Sequence, residues 1–312
     1  MMIKKNSEFD VIIAGGGPAG LSALLWCAEL SLSAILFEKG AEFGGQLLRT
    51  HNEIGNYLGI EAANGRDLCD RFLSQIETTS SIQRFAGVEI VEANLVHKTV
   101  TLENGAVYSS RAIILATGVR RRKLMVPGEE EFSGQGILES GIKARDDVRG
   151  KTVLIFGGGD AALENATILS ETAGKIFVAH RRREFTARKE FLRKAEELEN
   201  IEFLTDTKVL AIVGNEMVEA ADLQHLSSGK LSRVHCDAVL IRIGVEPNTE
   251  LFRGQVKLDD AGYVTIDRNC ATNLQGVFAV GDAANPTAPT LNVATGHGAV
   301  AVNAIFKEIY SR

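Results

Sequence analysis

Cysteine is sparse in this chain of 312 residues, and what there is stands apart: Cys27, Cys69, Cys236 and Cys270. No two form a C-x-x-C pair or a zinc-ligand spacing, which excludes a disulfide framework and a cysteine metal site. Such usage fits a reducing cytoplasm. A membrane segment is missing too. The uncharged stretch Val11 to Ala28 contains a glycine turn and Pro18, and Glu8 and Asp10 precede it. A signal peptide needs positive charge there. With a net charge of −6, the chain has no overall basic excess to suit nucleic acid. An apolar content of 45% and a charged content of 24% are those of a globular protein, long enough for two domains.

What is present is a repeated motif. Gly15-Gly16-Gly17-Pro18-Ala19-Gly20 follows the apolar run Val11–Ala14, and Gly157-Gly158-Gly159-Asp160-Ala161-Ala162 follows Val153–Phe156. Each sits between a predicted strand and a predicted helix, the setting in which G-x-G-x-x-G/A binds a dinucleotide. The glycines permit a tight turn and close approach of the pyrophosphate, and the helix N-terminus supplies free N–H groups. The ribose position separates the two sites. Glu38 lies 18 residues beyond Gly20, whereas His180, Arg181 and Arg182 begin 18 residues beyond Ala162. A carboxylate holds ribose hydroxyls and repels a 2′-phosphate; guanidinium groups bind one. The first site therefore suits FAD or NAD, the second NADP.

The pattern predicts strand 9–14, helix 18–30 and strand 33–38. A hairpin is expected at Asn104-Gly105 between runs 98–103 and 106–108, then a buried strand 112–116. Residues 119–150 read as a polar interdomain segment. A second βαβ unit spans about 151–180, a basic stretch and helix run to about 199, and a strand-rich insertion covers 201–236. Buried strands at 237–244 and 276–282 and a helix at 296–310 complete a duplicated α/β plan, one nucleotide domain inserted in the other.

Over nearly its whole length the chain resembles the low-molecular-weight thioredoxin reductase class of flavoproteins. The resemblance rests on both glycine motifs, Gly44-Gly45-Gln46-Leu47, Ala116-Thr117-Gly118, His180-Arg181-Arg182 and the run Gly276 to Gly281-Asp282. It implies two Rossmann-like, three-layer ββα domains: an FAD domain at 1–118 and 246–312, and an NADPH domain at 119–245. It also implies an FAD-dependent, NADPH-linked oxidoreductase, a homodimer. By resemblance Asp282 binds the flavin ribitol, Gln46 and Asn56 lie near the isoalloxazine, and His297 faces the pyrimidine edge from the start of the last helix.

The family's redox C-x-x-C falls here at Ser140-Gly141-Ile142-Lys143. Serine and lysine cannot run a dithiol relay, which needs one thiolate to attack and a second thiol to resolve. Asp146 to Gly150 and Gly157 to Asp160 look similar to thioredoxin-reductase-like ferredoxin–NADP reductases. The expected activity is electron transfer from NADPH through flavin to an acceptor such as ferredoxin or flavodoxin. Two alternatives are a flavin-binding sensor or partner-binding module with a vestigial NADPH site, and a disulfide reductase using other cysteines. Lys143 and His297 are candidate catalytic residues, although solvent exposure is the blander reading for Lys143. The family's third phosphate-binding arginine falls at Thr186, and the nearest here is Arg188. Arg120-Arg121-Arg122-Lys123 reads either as a solvated linker or as a docking patch for an acidic redox protein. Cys27 and Cys69 read as core residues, and Cys270 as partly exposed.

Overall fold

The computed structural model describes residues 8–310. The chain divides into two compact units, Met1–Arg120 with Glu246–Arg312, and Arg121–Val245. In the first, β1 (Glu8–Ala14), α1 (Pro18–Glu29) and β2 (Ala34–Glu38) make the βαβ unit that the glycine turn predicts. From Val11 to Ala14, β1 is apolar without alternation because both its faces are covered. Val11 and Ile13 enter one core cluster with α1, and Ile12 and Ala14 enter another. This is the pattern of a parallel strand inside a sheet, and each fully buried aliphatic side chain there contributes about 1.5–3 kcal/mol.

α2 (Gly65–Ser74) is capped by Asn64, whose side chain accepts the Asp67 N–H at 3.0 Å. β3 (Ile82–Ala86), β4 (Ile90–Asn94), β5 (Thr99–Leu102) and β6 (Val107–Leu115) follow. The predicted hairpin is present, but the runs expected at 106–108 and 112–116 are one strand. β6 pairs antiparallel with β5 at its start and parallel with β1 along its length. Its first half alternates buried Tyr108 and Ser110 with more exposed neighbours, and its second half is buried throughout.

The chain leaves this unit through β7 (Val119–Arg121). In the second unit, β8 (Ile137–Leu138) and α3 (Gly141–Ala144) lie within the segment expected to be interdomain. β9 (Thr152–Phe156), α4 (Asp160–Ser170) and β10 (Lys175–Ala179) repeat the βαβ unit. α5 (Lys189–Glu196) and β11 (Ile201–Leu204) follow. β12 (Thr207–Gly214), β13 (Val218–His225) and β14 (Leu231–His235) form a separate antiparallel sheet. The insertion expected at 201–236 is thus split, since β11 joins β10. β15 (Ala238–Ile241) completes a parallel sheet of order β11-β10-β9-β15-β8. β16 (Val245–Pro247) leads back and pairs with β7. β17 (Val277–Ala279) then docks on β6, giving the first sheet the order β3-β2-β1-β6-β5-β4 with β17 beside β6. α6 (Leu291–Tyr310) packs on α1 and begins five residues before the predicted start.

Candidate active site

At the carboxyl end of β1, Gly15 adopts φ +113°, and a Cβ there would lie 2.3 Å from the Ala116 carbonyl oxygen. Only glycine fits this turn. Gly20 packs against the Gly15 carbonyl. Pro18 opens α1, and Gly17 caps it without a side chain, so the Ala19 and Gly20 amides have no partner inside the helix. The helix thus presents N–H groups and a partial positive charge to an anion. At the tip of β2, Glu38 accepts the Gly16 N–H through Oε2 and the Gly40 N–H through Oε1, both at 2.7 Å. The bonds fix its orientation and leave lone pairs for two hydroxyls.

These groups border a cavity of about 810 Å³, within the range of cofactor sites. Of the residues predicted to bind FAD, all but Gly15 and Gly20 line it; those two shape the turn behind it. Gly45, Gln46 and Asn56 come from the segment between β2 and α2, Ala116, Thr117 and Gly118 from the end of β6, and Gly281 and Asp282 from the turn after β17. Gln46 donates Nε2–H to the Val119 carbonyl at 2.6 Å. Thr117 and Asn248 exchange side chain-to-carbonyl bonds of 2.7 and 2.8 Å, tying the β6 tip to the returning chain. Burial pushes the Asp282 carboxyl up. Among the described residues no donor reaches it, so it suits a hydroxyl-bearing ligand. The residues present therefore fit FAD: a glycine cradle closed to any Cβ, free amides, an oriented Glu38 and an unsatisfied acceptor.

The second glycine turn repeats the first. Gly157 has φ +147°, and a Cβ there would lie 2.1 Å from the Arg242 carbonyl oxygen. Gly159 caps α4, again without a side chain. Asp160 starts α4 and accepts the Arg188 backbone N–H and Nε–H, both at 2.7 Å. Those bonds hold its carboxyl below the usual range. Ala161, beside it, is exposed. His180 is buried, stacks on Phe185 with centroids 5.3 Å apart, and leaves Nε2 without a partner. Burial lowers its pKa. Its ring lies under Gly158, so it supports the turn from below. Arg181 and Arg182 are exposed and have no ion-pair partner among the described residues. Thr186 and Ala187 donate their N–H groups to the Gly158 carbonyl at 2.8 and 3.1 Å, pinning the arginine loop to the glycine turn.

The remaining candidates separate clearly. Lys143 is solvent-facing, with Nζ 3.7 Å from Glu139. His297 lies in the second turn of α6, not at its start, and outside the residues lining the cavity. Its Nδ1 is buried without a partner, and burial lowers its pKa. All four cysteines are buried; Cys270, expected to be partly exposed, is 2% exposed. Burial pushes Cys69 and Cys270 up to about 11, Cys236 to about 12, and Cys27 further. Arg120 pairs with Glu246 at 2.8 Å and with Glu250. Arg121 donates to the Glu139 carbonyl, Arg122 to the Val245 carbonyl, and Lys123 pairs with Glu130. That run is thus engaged by its own chain. Among the described residues no cluster is fit to hold a metal, and no helix is long and apolar enough to cross a membrane.

The sequence profile of the pyridine nucleotide-disulphide oxidoreductases matches residues 9–301. The chain belongs to that family. A thioredoxin reductase from Mycolicibacterium smegmatis is 38% identical over 302 residues, covering 96% of each chain. A 34.2 kDa protein in a rubredoxin operon of Clostridium pasteurianum is 29% identical over 300 residues, again covering 96% of each. The solved Lactococcus lactis thioredoxin reductase superposes with a TM-score of 0.84 at 28% identity, over 97% of this chain and 100% of that one. This pyridine nucleotide-disulphide oxidoreductase is of the thioredoxin reductase type, an NADPH-linked, FAD-dependent enzyme with two Rossmann-like domains.

Three features of the site escape sequence reading. Thr290 and Asn292 line the cavity because α6 starts at Leu291; the available signal is Thr290, whose hydroxyl accepts the Val293 N–H at 3.4 Å as a cap. Asn248 lines it from the returning chain, with no motif to mark it. Arg242 stands at the second turn, directly after the apolar strand β15.

Proposed function

We propose that the unit Met1–Arg120 with Glu246–Arg312 holds FAD, that Arg121–Val245 holds NADPH, and that electrons pass from flavin to the acceptor without a dithiol relay. FAD, when bound, supplies the centre that takes up hydride and releases electrons. The chain's own residues bind and orient. The Ala19 and Gly20 amides meet the pyrophosphate, Glu38 holds the adenosine ribose, and Asp282 accepts from the ribitol. Gln46, fixed on the Val119 carbonyl, and Asn56 border the flavin ring. In the second unit Gly157, Gly159 and Ala161 frame the pyrophosphate, and Arg181 and Arg182 take the 2′-phosphate.

The observation that carries the reading is the state of the thiols. A relay needs a thiolate at neutral pH beside a second thiol. The four cysteines here are buried with raised pKa values, and the relay slot holds an exposed Lys143 paired with Glu139. The acceptor is an electron carrier met in the cytoplasm, ferredoxin or flavodoxin. The similarity to a protein in a rubredoxin operon supports that class. The Arg120–Lys123 run, engaged internally, is not its docking patch. A homodimer is the expected assembly.

The test is NADPH oxidation with ferricyanide, reduced-carrier formation with ferredoxin and flavodoxin, and turnover with oxidised thioredoxin. Activity is expected with ferricyanide and a carrier, and none with thioredoxin. Steady thioredoxin-dependent oxidation of NADPH refutes the absence of a relay.

A further inference from the structure

The two glycine turns allow a comparison inside one chain. In the first unit the residue whose carbonyl sits against the first glycine is Ala116, and it lines the 810 Å³ cavity. In the second unit the same place against Gly157 belongs to Arg242. The correspondence continues: Thr117-Gly118 matches Ile243-Gly244, and both glycines have positive φ. Arg242 follows β15, donates its N–H to the Phe156 carbonyl at 2.7 Å, and so stands at the mouth of the nucleotide turn.

Its charge is unmet. The Arg242 guanidinium donates to the Ile241 carbonyl at 2.8 Å and to the Glu139 carbonyl at 2.9 Å. Among the described residues no carboxylate pairs with it. A second cation, Arg121, donates to the same Glu139 carbonyl. Burial, then repulsion from Arg121, pushes the Arg242 guanidinium down to about 10. A half-buried cation beside another cation is stabilised by an arriving anion.

Topology says which anion. The strand order β11-β10-β9-β15-β8 puts β10, with Arg181 and Arg182 after it, on one side of the β9 turn, and β15 on the other. A dinucleotide lies across the carboxyl ends of such strands with its pyrophosphate at the turn and its adenosine ribose at β10. The nicotinamide half therefore extends over the tip of β15.

We infer that Arg242 binds the phosphate on the nicotinamide side of the pyridine dinucleotide, as a binding residue that serves NADPH and NADH alike. This rests on the reading of Arg121–Val245 as the NADPH unit. It assigns separate work to the two basic loci: Arg181 and Arg182 select the nucleotide, and Arg242 holds it whichever it is.

The experiment titrates the FAD-loaded enzyme with NADP⁺, NAD⁺ and 2′,5′-ADP by calorimetry. Arg242→Ala is expected to weaken NADP⁺ and NAD⁺ by a common factor of about ten or more, the worth of one charge-assisted contact. Binding of 2′,5′-ADP, which lacks the nicotinamide-side phosphate, is expected to change less than about twofold. Arg242→Gln keeps an N–H donor for the carbonyls and removes the charge, so it covers an Ala variant that fails to fold. It is expected to match the Ala loss, and Arg242→Lys to recover most of it. A Gln variant with wild-type affinity for NADP⁺ overturns the proposal, as does an equal loss for 2′,5′-ADP. If wild type binds neither NADP⁺ nor 2′,5′-ADP, the NADPH reading itself falls.

Discussion

Replacing both Arg181 and Arg182 by alanine isolates the reading of the 2′-phosphate. Both side chains are exposed and without an ion-pair partner among the described residues, so the substitution breaks no internal pair. A guanidinium–phosphate contact is charge-assisted, but exposure and salt screening reduce it to about 1–1.5 kcal/mol each. Two such contacts give about 2–3 kcal/mol, or about 30- to 150-fold in kcat/KM for NADPH. NADH has no 2′-phosphate, and its kcat/KM is expected to change less than about twofold. Arg188 is the internal control. Asp160 holds its backbone N–H and its Nε–H at 2.7 Å each, and Glu190 its terminal nitrogen at 3.1 Å. Arg188→Ala should therefore alter the NADPH to NADH ratio less than about threefold. Steady-state kinetics with both nucleotides and ferricyanide measures all of this. Equal losses on NADPH and NADH in the double variant, or a larger loss of selectivity in Arg188→Ala, refute the reasoning.

Gly15→Ala puts a Cβ 2.3 Å from the Ala116 carbonyl oxygen at a backbone angle that L-residues resist; by absorbance the purified variant should contain little FAD, and wild type should contain one per chain. Ile114→Ala removes a fully buried side chain at the centre of the first sheet and should cost about 2–5 kcal/mol in urea unfolding. His180 and His297 have pKa values lowered by burial, so the unfolded chain binds protons more readily below about pH 6.5. Their contribution is complete above that pH and is lost as pH falls. The raised Asp282 carboxyl acts in the opposite sense, weakening stability as pH rises from about 4. The histidine part is isolated by comparing wild type with His297→Gln, whose urea midpoint should fall less on going from about pH 7.5 to about pH 5.5; an unchanged slope counts against a buried neutral His297.

The βαβ units were legible because their signals are local. An apolar run, a glycine turn and a helix lie within about 30 residues, and the turn's steric demands select the residues directly. What stayed hidden depended on distant pairing. β8 is two residues long and exists because β15 accepts it; its own sequence, Ile137-Leu138, carries no period. β6 continues from hairpin to central strand because β1 and β17 flank it, which no window around Asn104-Gly105 reveals. The start of α6 at Leu291 is hidden because its first turns carry Asn292 and Thr295, weak helix formers; further on, Gly298 lies where a Cβ would meet the Ala19 carbonyl oxygen at 2.6 Å. That glycine serves the close packing of α6 on α1. Cys270 is buried although polar residues precede it, because Asp267 to Asn269 form a turn that tucks the thiol inward.

The middle glycine of each turn shows how one scaffold is given two ligands. A Cβ on Gly16 would lie 2.9 Å from the Glu38 Cβ, and one on Gly158 would lie 2.4 Å from the His180 ring. In both units the residue at the strand tip fills the space a side chain on that glycine would need. The consequences differ with its chemistry. Glu38 is acidic and bonds the Gly16 N–H; in the proposed reading its remaining lone pairs serve ribose hydroxyls and its charge disfavours a 2′-phosphate. His180 is an aromatic wedge stacked on Phe185; it offers no charge while neutral, and the proposed reading gives recognition to the next two residues, Arg181 and Arg182. Exchanging the tips tests this. Glu38→His in the first unit should lose FAD without gaining NADP⁺ binding, because Lys39 and Gly40, the residues that follow, are not a pair of arginines. NADP⁺ bound by the first unit of that variant, detected as a second site in calorimetry, would show that the tip alone sets the choice.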